Sequence, residues 1–400
     1  MPDLQSGSNS ERLQHAEGLF VAGRFSEAGK NYGEMAELAR GDYRIPMRLG
    51  QIGLLEGRLD DALDWFHRAQ AAGGDAESLL AETYYRARRY PEAAACYAGL
   101  GDPALAQHLA AFRDREPYRL LPGPAESELE FLARDPLPLV RVQVNGVEEA
   151  LFAFDTGAWD TVLDTALAQR IGLPRGWPGQ VSCADGRDAL IEYSRLNCLA
   201  LGGMEIADLP VQVMDLGGAL AGFFEPHGLD GILGLGVLSR FGVELDMPAG
   251  WLRLFRDPEP LAAPTPCWLG GGRQLLAWGE INEQPNLWFL DTGMTGFDCL
   301  VPGSTAAVAQ LVQAPQGAAL GYGGAGQVAL ATADIDTLKL GDLHKASARA
   351  VISPAFPLER RYGFRIGGLL ALEFLKRAVL RLDLARMQLS LHPGAQSQAA

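Results

Sequence analysis

A pair of matching segments constrains the fold of this chain more than any other feature. The triplet Asp155-Thr156-Gly157 follows an apolar run typical of a buried strand, and Asp291-Thr292-Gly293 follows a second such run. A second anchor repeats at nearly the same distance, because residues 238–246 align with residues 375–383. Self-similarity at one period, here about 136 residues, indicates an internal duplication. Two chance occurrences of a short motif do not explain a shared offset.

Each copy of the duplicated unit is predicted to form a small all-β lobe. Many short strands separated by Gly-rich turns favour a barrel or a sandwich. In the first copy, residues 140–144 alternate apolar and polar side chains, and Asn145-Gly146 follows as a hairpin turn. Residues 147–154 return as the strand that ends before Asp155. The second copy repeats this order with a strand at 275–281, a turn at 282–286 and a strand at 287–290 that ends before Asp291.

Residues 11–112 predict an all-helical domain that precedes the two lobes. They are rich in Ala, Leu, Glu, Arg and Tyr, and their apolar residues recur at helical spacing. A motif containing a small residue repeats in this region and resembles tetratricopeptide repeats, whose period is about 34 residues. We expect either a concave surface for a partner peptide or a helical support that packs on the next domain. The aligned alanines are Ala28, Ala62 and Ala93, each followed four residues later by an aromatic residue, Tyr32, Phe66 or Tyr97.

Residues 113–137 are predicted to form a linker between the helices and the lobes. Dense prolines, at Pro117, Pro122, Pro124 and Pro136, argue against a long helix or a central strand. One short helix is expected over residues 127–133. The lobes then occupy residues 138–260 and 261–393.

The segment around the first triplet resembles the active-site loop of retroviral-type aspartic proteases. In residues 154–163, Asp-Thr-Gly-Ala is followed by a strand beginning Thr-Val-Leu, and residues 230–234 resemble the second signature of the family, two apolar residues and a glycine beneath that loop. Retropepsins build the site from two identical subunits, whereas pepsin-like enzymes carry both lobes on one chain. The resemblance covers residues 138–392. It implies a bilobal aspartic protease with both lobes on one chain.

The resemblance assigns Asp155 and Asp291 to a catalytic dyad. Two carboxyls within hydrogen-bonding reach share one proton, so that one acts as general base on water while the other polarises the scissile carbonyl. In aspartic proteases, two such carboxyls share one proton and have separated pKa values. Gly157 and Gly293 let backbone amides approach the carboxyls. By resemblance, Thr156 and Thr292 hold the two loops together.

A hairpin in each lobe is expected to cover the substrate cleft and to grip an extended peptide. In the first lobe the turn of this flap is assigned to Asp185 and Gly186. In the second lobe, Tyr322 and Gly323 lie in a glycine-rich run that is predicted to be the flap, with an ordinary glycine-rich turn as the alternative.

Three residues depart from the family pattern near the two loops. Met294 replaces a small residue after the second triplet, and Trp159 replaces a polar residue in the first loop. At the second signature of the second lobe, Leu369-Leu370 is followed by Ala371, and residues 366–368 offer a glycine in a shifted register.

Composition excludes several function classes. A formal net charge of −15 and a pI of about 4.9 argue against nucleic acid as a partner. Scattered cysteines and histidines predict neither a disulfide framework nor a metal site, and no cofactor is expected. No apolar run long enough for a membrane helix and no secretory leader is visible, so we expect a cytoplasmic monomer without membrane association.

The sequence thus predicts an aspartic endopeptidase whose helical repeats recruit a protein partner or substrate. The alternative is a protease-like adaptor that holds extended peptides with little or no cleavage. Retention of Asp, Thr and Gly in both loops favours the enzyme, because a binder has no chemical use for two adjacent buried carboxyls.

Overall fold

The computed structural model describes residues 9–36, 41–182, 188–220, 222–323, 326–354 and 356–394. It confirms the predicted fold class: helices come first in the chain and a β-rich region follows. The chain divides into two compact units. One unit comprises the residues up to Arg113 together with Leu269–Gly272 and Leu358–Ile366, and the other comprises Asp114–Trp268, Arg273–Pro357 and the residues from Gly367 onward.

The first unit is built from helical hairpins. Ala28, Ala62 and Ala93, the aligned alanines of the sequence motif, are fully buried in the second helix of successive hairpins. Gly23 and Gly57 adopt positive φ at the turn that precedes each of these helices, and Arg88 does so in the third hairpin. The helices are α1 (Asn9–Val21), α2 (Phe25–Ala36), α3 (Arg44–Leu55), α4 (Leu59–Ala71), α5 (Glu77–Arg86), α6 (Tyr90–Gly99) and α7 (Pro103–Ala110).

An aromatic cluster in the first unit includes a residue from far along the chain. The ring of Phe364 lies 5.8 Å from that of Phe20 and 4.8 Å from that of Phe25, measured between centroids. The amide of Arg365 donates to the carbonyl of Val21 at 3.1 Å. Residues 358–366 therefore complete the core of the first hairpin. Nothing in the helical spacing of residues 11–112 indicated this contribution.

The second unit begins with the residues that the sequence assigned to a linker. A short helix was predicted over residues 127–133, and this prediction is wrong, because Glu126–Ala133 forms a strand. The prolines lie on either side of it, and between them polar and apolar residues alternate, so that Ser127, Leu129 and Phe131 are buried. Glu126, Glu128 and Glu130 are exposed at alternate positions, which is the period of two of a strand.

The first lobe of this unit contains a hairpin, two long strands and short helices. Its turn residues Asn145 and Gly146 have positive φ, as predicted for the hairpin. The elements are β1 (Arg119–Leu120), β2 (Glu126–Ala133), β3 (Leu139–Val144), β4 (Glu148–Phe154), β5 (Thr161–Asp164), α8 (Thr165–Arg170), β6 (Trp177–Ser182), β7 (Asp188–Leu201), β8 (Met204–Met214), α9 (Leu216–Ala219), β9 (Gly231–Leu233), α10 (Leu235–Leu238), β10 (Gly242–Asp246) and β11 (Trp251–Phe255).

Among the described residues, the second lobe repeats the element order of the first from β2 onward, without a counterpart of α9. Its hairpin turn is shorter than the predicted 282–286, because only Asn282 and Glu283 lie between the paired strands. The elements are β12 (Thr265–Leu269), β13 (Leu275–Ile281), β14 (Gln284–Asp291), β15 (Cys299–Pro302), α11 (Gly303–Val308), β16 (Gln313–Gly323), β17 (Gly326–Leu340), β18 (Leu343–Ser353), β19 (Gly368–Ala371), α12 (Leu372–Leu375), β20 (Ala378–Asp383) and β21 (Gln388–Pro393).

An antiparallel sheet shared by both lobes carries the pseudo-twofold axis. Its strand order is β2–β11–β10–β20–β21–β12, so equivalent strands of the two copies occupy equivalent places from either end. At its centre Glu244 of β10 pairs with its own counterpart, Arg381 of β20. Glu244 is buried and also accepts a hydrogen bond from Arg253 at 2.7 Å. The duplication inferred from sequence is thus a symmetry of the backbone.

Among the described residues, none of the helices has the length and apolar character needed to cross a membrane.

The central ion pair predicts an acid-sensitive contribution to stability. Burial raises the pKa of the Glu244 carboxyl, but hydrogen bonds from Arg253 and Arg381 outweigh it and hold the pKa below its ordinary value. This stabilisation is therefore present above the pKa of the unfolded chain and is lost as the pH falls through the folded-state pKa. We expect Glu244→Gln to lower the free energy of unfolding at neutral pH by about 1–3 kcal/mol.

Urea unfolding of both proteins at several pH values measures this effect. The difference between wild type and variant should shrink as the pH falls below about 4, where the wild-type carboxylate is lost as well. Glu128→Gln is the control, because Glu128 pairs with the same Arg253 at 2.7 Å but is exposed. Equal destabilisation by the two substitutions would contradict the role given to the buried residue.

Candidate active site

The two triplets lie at the ends of equivalent buried strands. Asp155 directly follows β4, and its amide donates to the carbonyl of Leu233 at 3.1 Å. Asp291 is the last residue of β14 and pairs with Ala371 of β19. In both lobes the strand that delivers the aspartate runs parallel to the short strand of the second signature, β9 or β19. The duplicated apolar runs therefore place the two carboxyls at matching points.

Crossed hydrogen bonds join the two loops through Thr156 and Thr292. The amide of Thr156 donates to Oγ1 of Thr292 at 2.9 Å, and the amide of Thr292 donates to Oγ1 of Thr156 at 3.0 Å. Each hydroxyl in turn donates to a carbonyl of the opposite strand, Thr156 to Leu290 at 2.9 Å and Thr292 to Phe154 at 3.2 Å. Both threonines are fully buried. These are the contacts that the resemblance implied for the two residues.

The glycines of the triplets leave room for the opposite carboxyl. A Cβ atom on Gly293 would lie 2.6 Å from Cγ of Asp155, and one on Gly157 would overlap the carboxyl of Asp291. The amides of the same glycines donate to the aspartate of their own loop, Gly157 to Asp155 at 2.7 Å and Gly293 to Asp291 at 2.9 Å. The first of these functions needs a residue without a side chain, whereas any residue except proline could supply the amide.

The carboxyls of Asp155 and Asp291 are hydrogen-bonded to each other. Burial raises the pKa of Asp155, against the opposing effect of amides from Gly157, Ala158 and Gly293. Burial and the negative charge of Asp155 raise the pKa of Asp291 well above its usual range. Asp291 is 5% exposed and Asp155 is partly exposed. The pair therefore retains a proton at a pH where separate carboxyls are ionised, and Asp291 is its favoured holder.

The second signature of the second lobe uses Leu369, Leu370 and Ala371 in the same register as its counterpart. Leu370 pairs with Leu290, just as Leu233 pairs with Phe154 in the first lobe. Ala371 thus takes the place of Gly234, and it is fully buried. The alternative register through residues 366–368 is not used, since Gly368 pairs with Trp288, two residues before Leu290 on β14.

The residues that follow each triplet are supported differently in the two lobes. In the first, the amide of Gly236 donates to the carbonyl of Trp159 at 2.8 Å, and the hydroxyl of Tyr118 lies 2.7 Å from where a Cβ of Gly236 would be. In the second, Thr295 donates to the carboxylate of Glu373 at 3.0 Å. Neither Tyr118 nor Glu373 was predicted from the sequence, because their positions depend on packing between segments rather than on a motif.

The two predicted flaps correspond to the β6–β7 and β16–β17 hairpins. Asp185 and Gly186 lie outside the described residues, between the paired ends of β6 and β7. Tyr322 and Gly323 form the end of β16, where their backbones pair with Gln327 and Gly326 of β17. Each lobe thus carries a β-hairpin at the predicted place. That these hairpins cover the substrate cleft stays a prediction.

A metal site is not found in the part of the chain that the structure describes, where no group of three or more His, Cys, Asp or Glu side chains is close enough to hold an ion.

Comparisons with known proteins found similarity to a protein family and to solved structures. Residues 140–237 match a family model described as aspartyl protease. Among solved structures, basic 7S globulin from soybean is similar at 11% identity and a TM-score of 0.42, over 71% of this chain and 98% of that chain. A retropepsin-like aspartic protease from Rickettsia conorii is similar at 23% identity and a TM-score of 0.24, over 34% of this chain and 94% of that chain. No curated protein matches.

The space at Gly293 gives a direct test of the site geometry. We expect Gly293→Ala to separate the two carboxyls, because its methyl group would lie 2.6 Å from Cγ of Asp155. The pKa of the pair should then fall toward ordinary carboxyl values, which carbon-13 NMR of the aspartate carboxyls measures. Gly303→Ala is the control, since a Cβ there meets nothing within 4 Å. An unchanged titration in Gly293→Ala would show that the carboxyls are not in contact.

Proposed function

We propose that this chain is an aspartic endopeptidase that hydrolyses peptide bonds with water activated by Asp155 and Asp291. One observation carries the proposal: the two carboxyls are hydrogen-bonded to each other on equivalent loops that Thr156 and Thr292 lock together. The match of residues 140–237 to aspartyl proteases supports it independently.

In the proposed reaction the two carboxyls have different tasks. Asp155 is partly exposed and receives amide hydrogen bonds, which favour its ionised form, so it acts as the general base that takes a proton from water. Asp291 is the more buried member and holds the shared proton, which it donates as a hydrogen bond to the scissile carbonyl oxygen. Attack of the water oxygen on the carbonyl carbon gives a tetrahedral intermediate. Asp155 then gives the proton that it took from water to the amine nitrogen, and the C–N bond breaks to release the two products.

The alternative is an adaptor that holds extended peptides without cleaving them. The paired carboxyls argue against it, because two acidic groups forced together in a buried site reduce stability without helping to bind a neutral peptide backbone. Met294 still supplies an amide to Asp291, so its long side chain leaves the support of that carboxyl intact.

The dyad predicts loss of activity on substitution of either aspartate. We expect Asp155→Asn and Asp291→Asn each to lower kcat for a peptide library by about 10²–10⁴-fold, since each removes one proton-transfer partner. The wild-type rate should follow a bell-shaped pH profile that ends on the alkaline side where Asp291 loses its proton. Because the pKa of Asp291 is raised, that limb should lie above the ordinary range of a carboxyl.

The assay runs from about pH 3 to about pH 8, with and without pepstatin. The variants should remain folded, and near neutral pH Asp291→Asn should raise the melting temperature, because it removes the acid whose raised pKa costs stability as the pH rises. Cleavage by either variant at the wild-type rate contradicts the dyad. Absence of wild-type turnover at every pH favours the adaptor.

We further propose that the helical unit recruits a protein partner or substrate. Its hairpins have the buried alanines expected of repeated helical pairs, and it exposes large apolar side chains, Tyr43 and Leu100, each 44% exposed. Similarity of the unit to tetratricopeptide repeats stays part of this proposal.

Recruitment predicts that intact proteins and short peptides respond differently to surface changes. We expect Tyr43→Ser combined with Leu100→Ser to lower cleavage of an intact proteome, while cleavage of the same proteome predigested to short peptides is unchanged. Mass spectrometry of new termini measures both. Val147→Ser with Val308→Ser is the control, because these residues are exposed on the two lobes instead. An equal loss of cleavage in both substrate pools, or no loss in either, contradicts recruitment through Tyr43 and Leu100.

A further inference from the structure

The loop after the second triplet is held by two neighbouring residues of α12. The amide of Leu372 donates to the carbonyl of Met294 at 2.8 Å. Next to it, the carboxylate of Glu373 accepts hydrogen bonds from the hydroxyl of Thr295 at 3.0 Å and from the amide of Gly296. Three consecutive loop residues are therefore fixed from one short helix.

The same loop touches the carboxyl of Asp291. Backbone amides of Gly293 and Met294 donate to that carboxyl, the former at 2.9 Å. These bonds favour the ionised form of Asp291 and set the orientation of its oxygens. Thr295 and Gly296 directly follow Met294 in the chain, so anchoring them restrains the backbone that carries the Met294 amide. Glu373 holds those two residues.

The first lobe has no counterpart to this carboxylate. The position equivalent to Glu373 is Gly236, whose own amide holds the loop by donating to Trp159. A side chain there is excluded, because a Cβ would lie 2.7 Å from the hydroxyl of Tyr118 and 2.9 Å from the carbonyl of Trp159. The difference between the lobes thus lies in a single residue beside each aspartate loop.

Charged neighbours keep Glu373 in place. Lys376 lies 2.6 Å from it, and the same ammonium approaches the exposed Asp135 at 3.6 Å. Burial raises the pKa of Glu373, but hydrogen bonds from Lys376 and Thr295 outweigh it and leave the pKa below its ordinary value. Across the range where the dyad would work, Glu373 is therefore an ionised acceptor.

We propose that Glu373 is a positioning residue for Asp291: its carboxylate anchors Thr295 and Gly296 and thereby keeps the Met294 amide directed at the Asp291 carboxyl. The kinetic consequence rests on the proposed peptidase function. The effect on the titration of Asp291 does not, so the two can fail separately.

The kinetic test compares Glu373→Ala and Glu373→Gln in the full chain. We expect Glu373→Ala to lower kcat about tenfold with little change in KM, because displacement of one member of a dyad costs rate rather than binding. Its alkaline limb should move up by about 0.5–1 pH unit, since an amide that favoured ionised Asp291 is lost. Glu373→Gln retains an acceptor oxygen and should recover kcat to within about threefold of wild type.

A matched control separates positioning from general loss of an ion pair. Glu280→Ala removes a Glu of the same lobe that pairs with Lys339 at 3.3 Å, and it should leave kcat and the pH profile unchanged. If Glu373→Ala fails to fold, Thr295→Val removes the same hydrogen bond from the other side and should shift the profile in the same direction. An unchanged kcat and profile, a rise in KM alone, or an equal effect of Glu280→Ala overturns the proposal.

Carbon-13 NMR of the aspartate carboxyls decides the case without any substrate. In Glu373→Ala the pKa of Asp291 should rise relative to wild type, and in Glu280→Ala it should not. If the wild type cleaves no peptide, the proposed function fails, and the titration still tests positioning. Superimposable titrations of wild type and Glu373→Ala overturn it.

Discussion

The crossed hydrogen bonds of Thr156 and Thr292 are the constraint on which the rest of the site depends. Each buried threonine satisfies the amide of the other and a carbonyl of the opposite strand. An unpaired polar group at such depth costs about 1–3 kcal/mol, so neither loop can withdraw without leaving several groups unsatisfied. Two carboxyls that repel each other when ionised are thereby held in contact. The lock makes the proximity of Asp155 and Asp291 a property of the fold and independent of any ligand.

The two copies on this chain can carry different residues at equivalent positions, which two identical subunits cannot. On the pseudo-twofold axis, a residue faces its own counterpart, so identical copies would place like charges opposite each other, which is destabilising. Here the counterparts are Glu244 and Arg381, which form an ion pair. The same freedom appears at Gly236 and Glu373, and at Ala158 and Met294. Fusion of the copies allowed the residues around a symmetric backbone to diverge.

The sequence was sufficient to predict the features that depend on local motifs or on periodic patterns. Apolar runs before each triplet, a turn at Asn145-Gly146 and a shared offset predicted the strands, the duplication and the meeting of Asp155 and Asp291. It failed at residues 127–133, where a short helix was expected although these residues lie in a strand whose Ser127, Leu129 and Phe131 are buried. It also missed Phe364 in the core of the first hairpin and Glu373 beside the second loop. Those contacts join segments far apart in the chain, and one sequence carries no signal of pairing at such a distance.

The unequal surroundings of the two aspartates follow from this divergence. Both triplets are identical, so the difference between the carboxyls cannot arise within them. Amides from both loops reach Asp155, which is partly exposed, whereas Asp291 is nearly enclosed and faces the charge of its partner. A carboxylate is stabilised by amide dipoles and water, and a neutral acid tolerates burial. The proton therefore belongs on Asp291, and its location is set by residues outside the motif that identifies the site.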